Sequence, residues 1–251
     1  MSFKDYFSKQ AKDYAKYRPQ YPSELIQFVS ELAPGRERAW DCATGNGQAA
    51  VALANYFDRV IATDASAQQI ENAERRPRVS FEVAAAEASG LPSLHFDLIV
   101  VATAAHWFDL PRFYAEAKRV LKPEGILAMW TYGGTEPTSD PGIAEVLRRY
   151  AKEIVGPYFA PELQRVWGGY GNLPFPFNEI RTPEFSIRAE WDLEQMLGHM
   201  LTWSATQKLI DAEDKDPREL IREDLSRAWG SPDRKIPREW KIDFRVGKLE
   251  P

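Results

Sequence analysis

Between residues 37 and 132, short runs rich in β-branched and aromatic residues alternate with helical patterns. The runs that predict strands are RERAWDC, RVIATD, RVSFEVAAA, FDLIVVATA and ILAMWTY. The fourth run is apolar, which is typical of a central strand covered on both faces. Helical patterns follow the first, second and fourth runs, and the last of these helices is expected to stop at Pro123 and Gly125. Such alternation predicts an α/β fold with a doubly wound, mainly parallel sheet and right-handed crossovers.

The rest of the chain is expected to elaborate this unit, because 251 residues fit one α/β domain with additions. We divide it into a helical N-terminal lid (1–36), a cofactor-binding core (37–132), an insertion or cap (133–180) and a closing segment (181–251). The lid turns at Arg18-Pro19 between two helical patterns. The closing segment contains the strands EFSIRAEW and REWKIDFRVGKL and the helices DLEQMLGHMLTWSATQKLI and DPRELIREDLSRAWG.

Charge and cysteine content exclude several classes of protein. The net charge of −5 disfavours a nucleic-acid partner, for which a basic face would be expected. The single cysteine, Cys42, excludes an intrachain disulfide and a multi-cysteine metal site, and we expect no metal. No apolar signal core begins the sequence, and its longest apolar run is far shorter than the ~20 residues of a membrane span. We therefore expect a cytoplasmic monomer or homodimer without a membrane partner.

A glycine-rich loop follows the first predicted strand, in AWDCATGNGQAA from Ala39 to Ala50. Glycine accepts a positive φ and lets a ligand approach the backbone without a Cβ in the way. The loop lies at the C-terminal edge of the predicted sheet, where open α/β folds bind ligands. GNGQAA matches the dinucleotide pattern G-x-G-x-x-A, and Asp64 ends the next strand at the spacing of a ribose-binding acid. These features alone fit NAD and S-adenosylmethionine equally well.

Asp41 distinguishes the two cofactors. It stands just before the glycines, where a carboxylate would repel a pyrophosphate seated on the N-terminus of the following helix. The methionine part of S-adenosylmethionine has an ammonium and a sulfonium, which a carboxylate attracts. Asp41 therefore favours S-adenosylmethionine, and the same carboxylate could instead serve only to hold amides of the loop.

The sequence resembles the class I S-adenosylmethionine-dependent methyltransferases, and most of all their small-molecule, trans-aconitate-methyltransferase-like branch. The likeness covers roughly Phe7 to Tyr132 and rests on the motifs YAKYRPQYP, DCATGNGQ, VIATDAS, AAAEASGLP and FDLIVVATAAHWFDLPRFYAEAKRVLKPEGILAMW. Ala43 replaces the first glycine of the family's D-x-G-x-G-x-G pattern, and we expect a negative φ there. The resemblance implies a seven-stranded Rossmann-like sheet, with EFSIRAEW as the sixth strand and REWKIDFRVG as an antiparallel seventh.

The resemblance also implies roles for particular residues. The residues that match the family's methionine-binding loop are Asp41, Ala43, Gly45 and Gly47. Asp64 matches the acid that binds the ribose hydroxyls. The positions that match the surroundings of the adenine and the end of strand four are Ala65, Ala86, Glu87, Thr103 and Ala104.

Candidates for the methyl acceptor's site lie in two motifs. His106 and Trp107 follow strand four and could supply a base, a substrate contact and an aromatic face toward the sulfonium, or only a structural hydrogen bond and core packing. The segment YAKYRPQYP offers Tyr14, Arg18 and Tyr21, which the resemblance places over the cofactor cleft. Aromatic residues of the insertion could line a pocket or form the core of a cap: Tyr158, Phe159, Trp167, Tyr170, Phe175 and Phe177.

The sequence therefore predicts S-adenosylmethionine-dependent methyl transfer to a small molecule. A carboxylate acceptor is preferred, because a guanidinium such as that of Arg18 suits a carboxylate and an ionised carboxylate needs no general base. An alcohol or amine would need a base, for which His106 is the candidate. The alternatives are an NAD-binding oxidoreductase, a non-catalytic S-adenosylmethionine-binding protein, and a methyltransferase of RNA or protein. The acidic charge and the lack of an NPPY-like motif count against nucleic-acid bases.

Overall fold

The apolar runs of the N-terminal half form the parallel strands that their alternation with helices predicts. The computed structural model describes residues 17–133, 138, 140–163 and 168–249. The first five strands are β1 (Arg38–Cys42), β2 (Arg59–Asp64), β3 (Val79–Val83), β4 (Phe96–Ala102) and β5 (Leu121–Tyr132). Parallel ladders arrange them in the order β3-β2-β1-β4-β5. β4 therefore lies in the middle, which explains why it is buried from Phe96 to Val101.

Helices connect these strands and cover the sheet. α1 (Ser23–Leu32) precedes β1, and α2 (Gln48–Leu53), α3 (Ala67–Asn72) and α4 (Leu110–Val120) follow β1, β2 and β4. Two of them begin at side-chain caps, in which an oxygen accepts one of the otherwise unpaired N–H groups of the first turn. Ser66 accepts from Gln69 at α3, and Asp109 accepts from Arg112 at α4.

α4 ends at Val120, and the predicted stop at Pro123 and Gly125 was therefore placed too late. Leu121 is already extended (φ −67°, ψ 143°) and pairs with Phe96 in the ladder between β4 and β5. A proline disfavours the helical conformation of the residue before it. The helix consequently has to end before Lys122, and the residues up to Gly125 start β5 instead.

The C-terminal half contributes four α-helices and three strands within the described residues. The helices are α5 (Pro141–Arg149), α6 (Leu193–Leu201), α7 (Ser204–Glu213) and α8 (Glu219–Trp229), and the strands are β6 (Asn178–Glu179), β7 (Phe185–Trp191) and β8 (Ile236–Lys248). α6 and α7 replace the single helix expected from Asp192 to Ile210. The break falls at Thr202, whose hydroxyl donates to the His199 carbonyl at 2.7 Å, and at the extended Trp203 (φ −74°, ψ 133°).

β8 confirms the predicted fold class. It pairs antiparallel with β5 on one edge. On its other edge, residues 236–242 pair with β7, and Gly247 and Lys248 pair with β6. Eight strands therefore occupy seven positions across the sheet, with one strand running against the others. The short β6 belongs to the sheet although it falls inside the segment that we expected to form the cap (133–180).

The sheet separates two hydrophobic clusters. One face packs α1, α2 and the C-terminal helices, and its buried residues include Val29, Leu53, Trp130, Leu197 and Trp229. The other face packs α4, through residues such as Phe113, against residues that include Trp40, Met129, Tyr170 and Phe177. The aromatic insertion contributes to both, since Tyr158 and Phe159 pack against the first cluster and Phe175 against the second. Trp167 lies outside the described residues.

Among the described residues, no helix combines the length and the apolar character that crossing a membrane requires.

Candidate cofactor-binding site

The loop between β1 and α2 is built from residues with positive φ. The φ angles are 57° at Ala43, 57° at Gly45 and 91° at Gly47. The negative φ expected for Ala43 was therefore wrong, because its backbone adopts the left-handed conformation of the glycine that it replaces. Hydrogen bonds hold this path, from Thr44 N–H to the Thr63 carbonyl at 2.9 Å and from Gly47 N–H to the Thr44 carbonyl at 3.0 Å.

The two glycines serve different purposes. A Cβ built on Gly45 would meet no atom within 4 Å, so that this backbone is open to an approaching ligand. A Cβ on Gly47 would lie 2.8 Å from the Phe81 ring of β3. Gly47 is therefore needed for packing within the protein as well as for its positive φ, and Gly45 is the glycine that leaves room for a cofactor.

This difference predicts that two similar substitutions fail in different ways. We expect Gly47→Ala to lower the melting temperature, because its Cβ would overlap Phe81 and the residue would be strained at positive φ. We expect Gly45→Ala to unfold closer to the wild-type temperature and to bind S-adenosylhomocysteine more weakly. Thermal unfolding with and without S-adenosylhomocysteine separates the two effects. Equal loss of stability in both variants, with unchanged binding of S-adenosylhomocysteine, would contradict the assignment of Gly45 as the glycine that faces the ligand.

Asp41 ends β1 beneath this loop and is completely buried. Its Oδ2 accepts a hydrogen bond from the Thr44 hydroxyl at 2.5 Å, whereas Oδ1 has no partner with hydrogen-bond geometry among the described residues. Burial raises the pKa of Asp41 to about 7, and the nearby Asp64 carboxylate acts in the same direction. A cationic group of a ligand, placed beside Oδ1, would stabilise the ionised form.

Asp41 therefore predicts a pH-dependent affinity. Between pH 6 and 8 the ionised fraction of a group with a pKa of about 7 rises about tenfold. If the ionised form binds the ammonium of S-adenosylhomocysteine, affinity should rise by up to that factor over this range. Calorimetry at pH 6, 7 and 8 measures it, and Asp41→Asn should flatten the profile. A profile that keeps its slope in Asp41→Asn would exclude Asp41 as its source.

The same pKa has a second consequence, for the unliganded protein. Asp41 has a folded-state pKa above its usual value of 3.8, so that the folded state holds its proton more tightly than the unfolded state does. Its contribution to stability is complete below about pH 4 and is lost as pH rises through about 7. In Asp41→Asn, stability should not show this decrease with rising pH. Thermal unfolding between pH 4 and 8 can measure the difference from the wild type.

Asp64, at the end of β2, connects the loops that follow three strands. One carboxylate oxygen accepts the Gly45 N–H at 2.9 Å, and the other accepts the Ser66 N–H at 2.8 Å. Its carbonyl accepts the Ala84 N–H after β3 at 3.0 Å. A carboxylate has about four acceptor positions, and the Gly45 and Ser66 amides take two of them. Ala65, beside it, is half-buried.

The connection after β3 is fixed by acidic residues. Ala86 is buried, and the Glu87 carboxylate accepts the backbone N–H of Asp109 at 3.0 Å. Glu116 on α4 accepts both the N–H and the hydroxyl of Ser89, and Arg119 holds Glu116 at 2.7 Å. These bonds keep the pKa of Glu116 down at about 2. Sequence reasoning missed Glu116, since its spacing from Arg119 indicates only an ordinary ion pair on a helix surface.

Thr103 follows β4 in a strained conformation, with φ at 56° although its side chain is β-branched. Its N–H donates to the Trp130 carbonyl at 2.7 Å. Its hydroxyl lies 3.2 Å from the Tyr21 hydroxyl, and the Tyr21 ring packs edge-on against Trp130 with centroids 5.4 Å apart. Ala104 is buried beside it. The structure thus brings Tyr21 and Thr103 together.

Residues 17–22, which we call the strap, cross the C-terminal ends of β4 and β5. Arg18 donates from Nε to the Thr202 hydroxyl at 2.9 Å, and from Nη1 to the Tyr132 hydroxyl at 3.3 Å. The Tyr17 ring packs directly over Gly198 of α6, where a Cβ would overlap it. Tyr132 and Thr202 were not identified from the sequence, because they become neighbours only through the tertiary fold. Tyr14 lies outside the described residues.

His106 is almost fully buried, and its Nδ1 lies 3.0 Å from the Tyr170 hydroxyl. Tyr170 is itself anchored, because its N–H donates to the Asp243 carboxylate of β8 at 3.0 Å. Burial raises the pKa of Tyr170, which keeps it a neutral hydrogen-bonding group. This contact is the structural hydrogen bond that the sequence left open as one role for His106. Trp107 is half-buried, with its ring centroid 4.8 Å from that of His106.

Three features define the class of this protein. They are a mainly parallel sheet with one antiparallel strand beside β5, a glycine loop after β1, and Asp64 at the end of β2. Together they describe a Rossmann-like methyltransferase fold. The comparison with protein families agrees, since residues 40–129 match the methyltransferase domain. A Dictyostelium discoideum protein that bears a methyltransferase name is 37% identical over 233 residues, covering 92% of this chain and 89% of that protein.

A solved structure from Anaeromyxobacter dehalogenans, of a protein named as a type II methyltransferase, is 40% identical with a TM-score of 0.83. It covers 94% of this chain and 99% of its own. A Saccharomyces cerevisiae protein named as an S-adenosylmethionine-dependent methyltransferase is 27% identical over 169 residues, which cover 63% of this chain and 58% of that protein. The chain belongs to the class I S-adenosylmethionine-dependent methyltransferases, and it is such an enzyme. The comparisons do not single out the trans-aconitate-like branch.

Proposed function

We propose that this chain binds S-adenosylmethionine on the loops after β1, β2 and β3 and transfers its methyl group to a small acidic molecule under the strap. The family implies the cofactor. The finer assignment is supported chiefly by one observation, that Arg18 lies at the C-terminal end of β5 in contact with Tyr132. A fixed cation at that place suits an anionic acceptor.

The residues around the glycine loop fit such a cofactor. Gly45 leaves its backbone open, as a cofactor lying against it requires. The buried Asp41 lies beneath this loop, where its ionised carboxylate would attract the ammonium, and Asp64 at the end of β2 would accept the ribose hydroxyls. Ala65, Ala86 and Glu87 lie on the loops that would surround the adenine. S-adenosylmethionine supplies an activated methyl group on a sulfonium, so the protein has mainly to bind and orient the two reactants.

The strap would provide the acceptor's side of the site. Arg18, Tyr21 and Thr103 present hydrogen-bonding groups at the ends of β4 and β5, and Tyr132 adds a further hydroxyl. An ionised carboxylate held there needs no general base. Trp107 remains a candidate for the same region, where its ring could face the sulfonium. The observed contact of His106 with Tyr170 supports an orienting role for His106 more than proton transfer.

The cofactor assignment predicts a selective loss of binding in Asp64→Ala. Hydrogen bonds to an ionised group contribute ~1.5–3 kcal/mol each, so affinity for S-adenosylmethionine should fall at least about tenfold. Because Asp64 also holds Gly45, thermal unfolding of the variant serves as a control for loop integrity. Calorimetry with S-adenosylmethionine, S-adenosylhomocysteine and NAD measures the change. Wild-type protein that binds NAD in preference would overturn the proposal, and unaltered affinity in Asp64→Ala would remove this residue from the site.

The acceptor assignment predicts a kinetic effect of Arg18→Ala. Against a panel of small di- and tricarboxylates, kcat/KM should fall ten- to a hundredfold, or about 1.4–2.7 kcal/mol, with cofactor affinity unchanged. Arg18→Lys should recover only part of the activity, because an ammonium cannot bind a carboxylate bidentately. If cofactor affinity falls instead, Arg18 holds the cofactor's own carboxylate. Turnover of neutral acceptors alone would overturn the preference for a carboxylate and favour His106 as a base.

A further inference from the structure

Two consecutive residues of the strap, Arg18 and Pro19, contact the acceptor side and the cofactor side of the proposed site. On the acceptor side, Arg18 contacts Tyr132 of β5 and Thr202 after α6. On the cofactor side, the carbonyl of Pro19 accepts a hydrogen bond from the Gln48 side-chain amide at 3.1 Å. Pro19 is buried, so this bond is part of the packed structure. Neighbouring strap residues thus contact opposite sides of the cleft.

Gln48 lies at the junction between the glycine loop and α2. It is the first residue of α2 and directly follows Gly47, the left-handed N-cap of that helix. The loop and the helix are continuous in their hydrogen bonding, because Gly47 donates to Thr44 and accepts from Val51. A ligand that fixes Gly45 in place would therefore also restrict the position of Gln48.

The chemistry of the contact requires a hydrogen-bond donor at this position. The Pro19 carbonyl can only accept, so Nε2 of Gln48 has to be the donor. A carboxylate could not donate, and an apolar side chain would leave the buried carbonyl without this bond. Gln48 is consequently the polar connection between the glycine loop and the backbone that carries Arg18 and Tyr21.

We propose that Gln48 is a positioning residue that couples cofactor binding to closure of the strap. This inference rests on the proposed function, because it takes the glycine loop as the cofactor site. Cofactor on the loop stabilises the Gln48–Pro19 bond, which in turn holds Arg18 and Tyr21 over the ends of β4 and β5. The cofactor therefore binds first, and the acceptor meets an ordered strap.

Hydrogen exchange with S-adenosylhomocysteine as the probe tests this coupling without knowledge of the acceptor. Peptides that cover residues 17–25 report on the strap. In the wild type, saturating S-adenosylhomocysteine should slow their exchange at least about fivefold, the lower end of typical coupling between sites. In Gln48→Leu the slowing should be less than about twofold, although the variant still binds S-adenosylhomocysteine. Gln48→Ala repeats the comparison without added apolar surface.

Gln27→Leu is the matched control. Gln27 lies on α1, close after the strap, and its exposed side-chain amide donates to Glu31 within the same helix. This variant should keep the wild-type slowing. Equal slowing in the wild type and Gln48→Leu, or none in the wild type despite binding, would overturn the coupling and leave the proposed function intact. Absence of S-adenosylhomocysteine binding by the wild type would overturn both.

Discussion

The carboxyl end of β2 is the point on which the site depends. Asp64 accepts amides from the loop after β1, from the start of α3 and from the chain after β3, through its two carboxylate oxygens and its carbonyl. In a parallel sheet these loops meet at one edge only because every crossover returns the chain in the same direction. Asp64 converts that proximity into a fixed geometry.

The strap plays the same organising role at the ends of β4 and β5, which lie on the other side of β1 from β2 and β3. The cofactor half is held together from within, by Asp64 and by the bond between Glu87 and Asp109. The acceptor half is assembled from distant parts of the chain, since Tyr132 ends β5 and Thr202 follows α6. Arg18 bonds to both. Local contacts therefore build the proposed cofactor side, and long-range contacts build the proposed acceptor side.

This division explains how much the sequence could predict. The parallel strands and the glycine loop follow from local patterns, the antiparallel β8 follows from the family resemblance, and the structure confirms the fold. The φ of Ala43 did not follow, because the usual avoidance of positive φ was overridden by the path of a loop that two glycines already bend. The separate roles of Gly45 and Gly47 depend on Phe81 of β3, a neighbour that no local pattern reveals. The contacts of Gln48 with Pro19 and of Glu116 with Ser89 also arise from the tertiary fold, and the sequence did not indicate them.

Charge is distributed unevenly across the proposed site, and this has a chemical consequence. The carboxylates of Asp41, buried in β1, and Asp64, at the end of β2, lie on the side of the glycine loop, whereas the strap contains the guanidinium of Arg18. Under the proposed function, a cationic methyl donor would be attracted to the first side and an anionic acceptor to the second. Transfer of a methyl group from a sulfonium to a carboxylate consumes both charges, so charge diminishes on the way to the transition state. A strap that excludes water would strengthen the attraction between these opposite charges and remove solvent that favours the separated ions. Covering the acceptor therefore serves the chemistry as well as the binding.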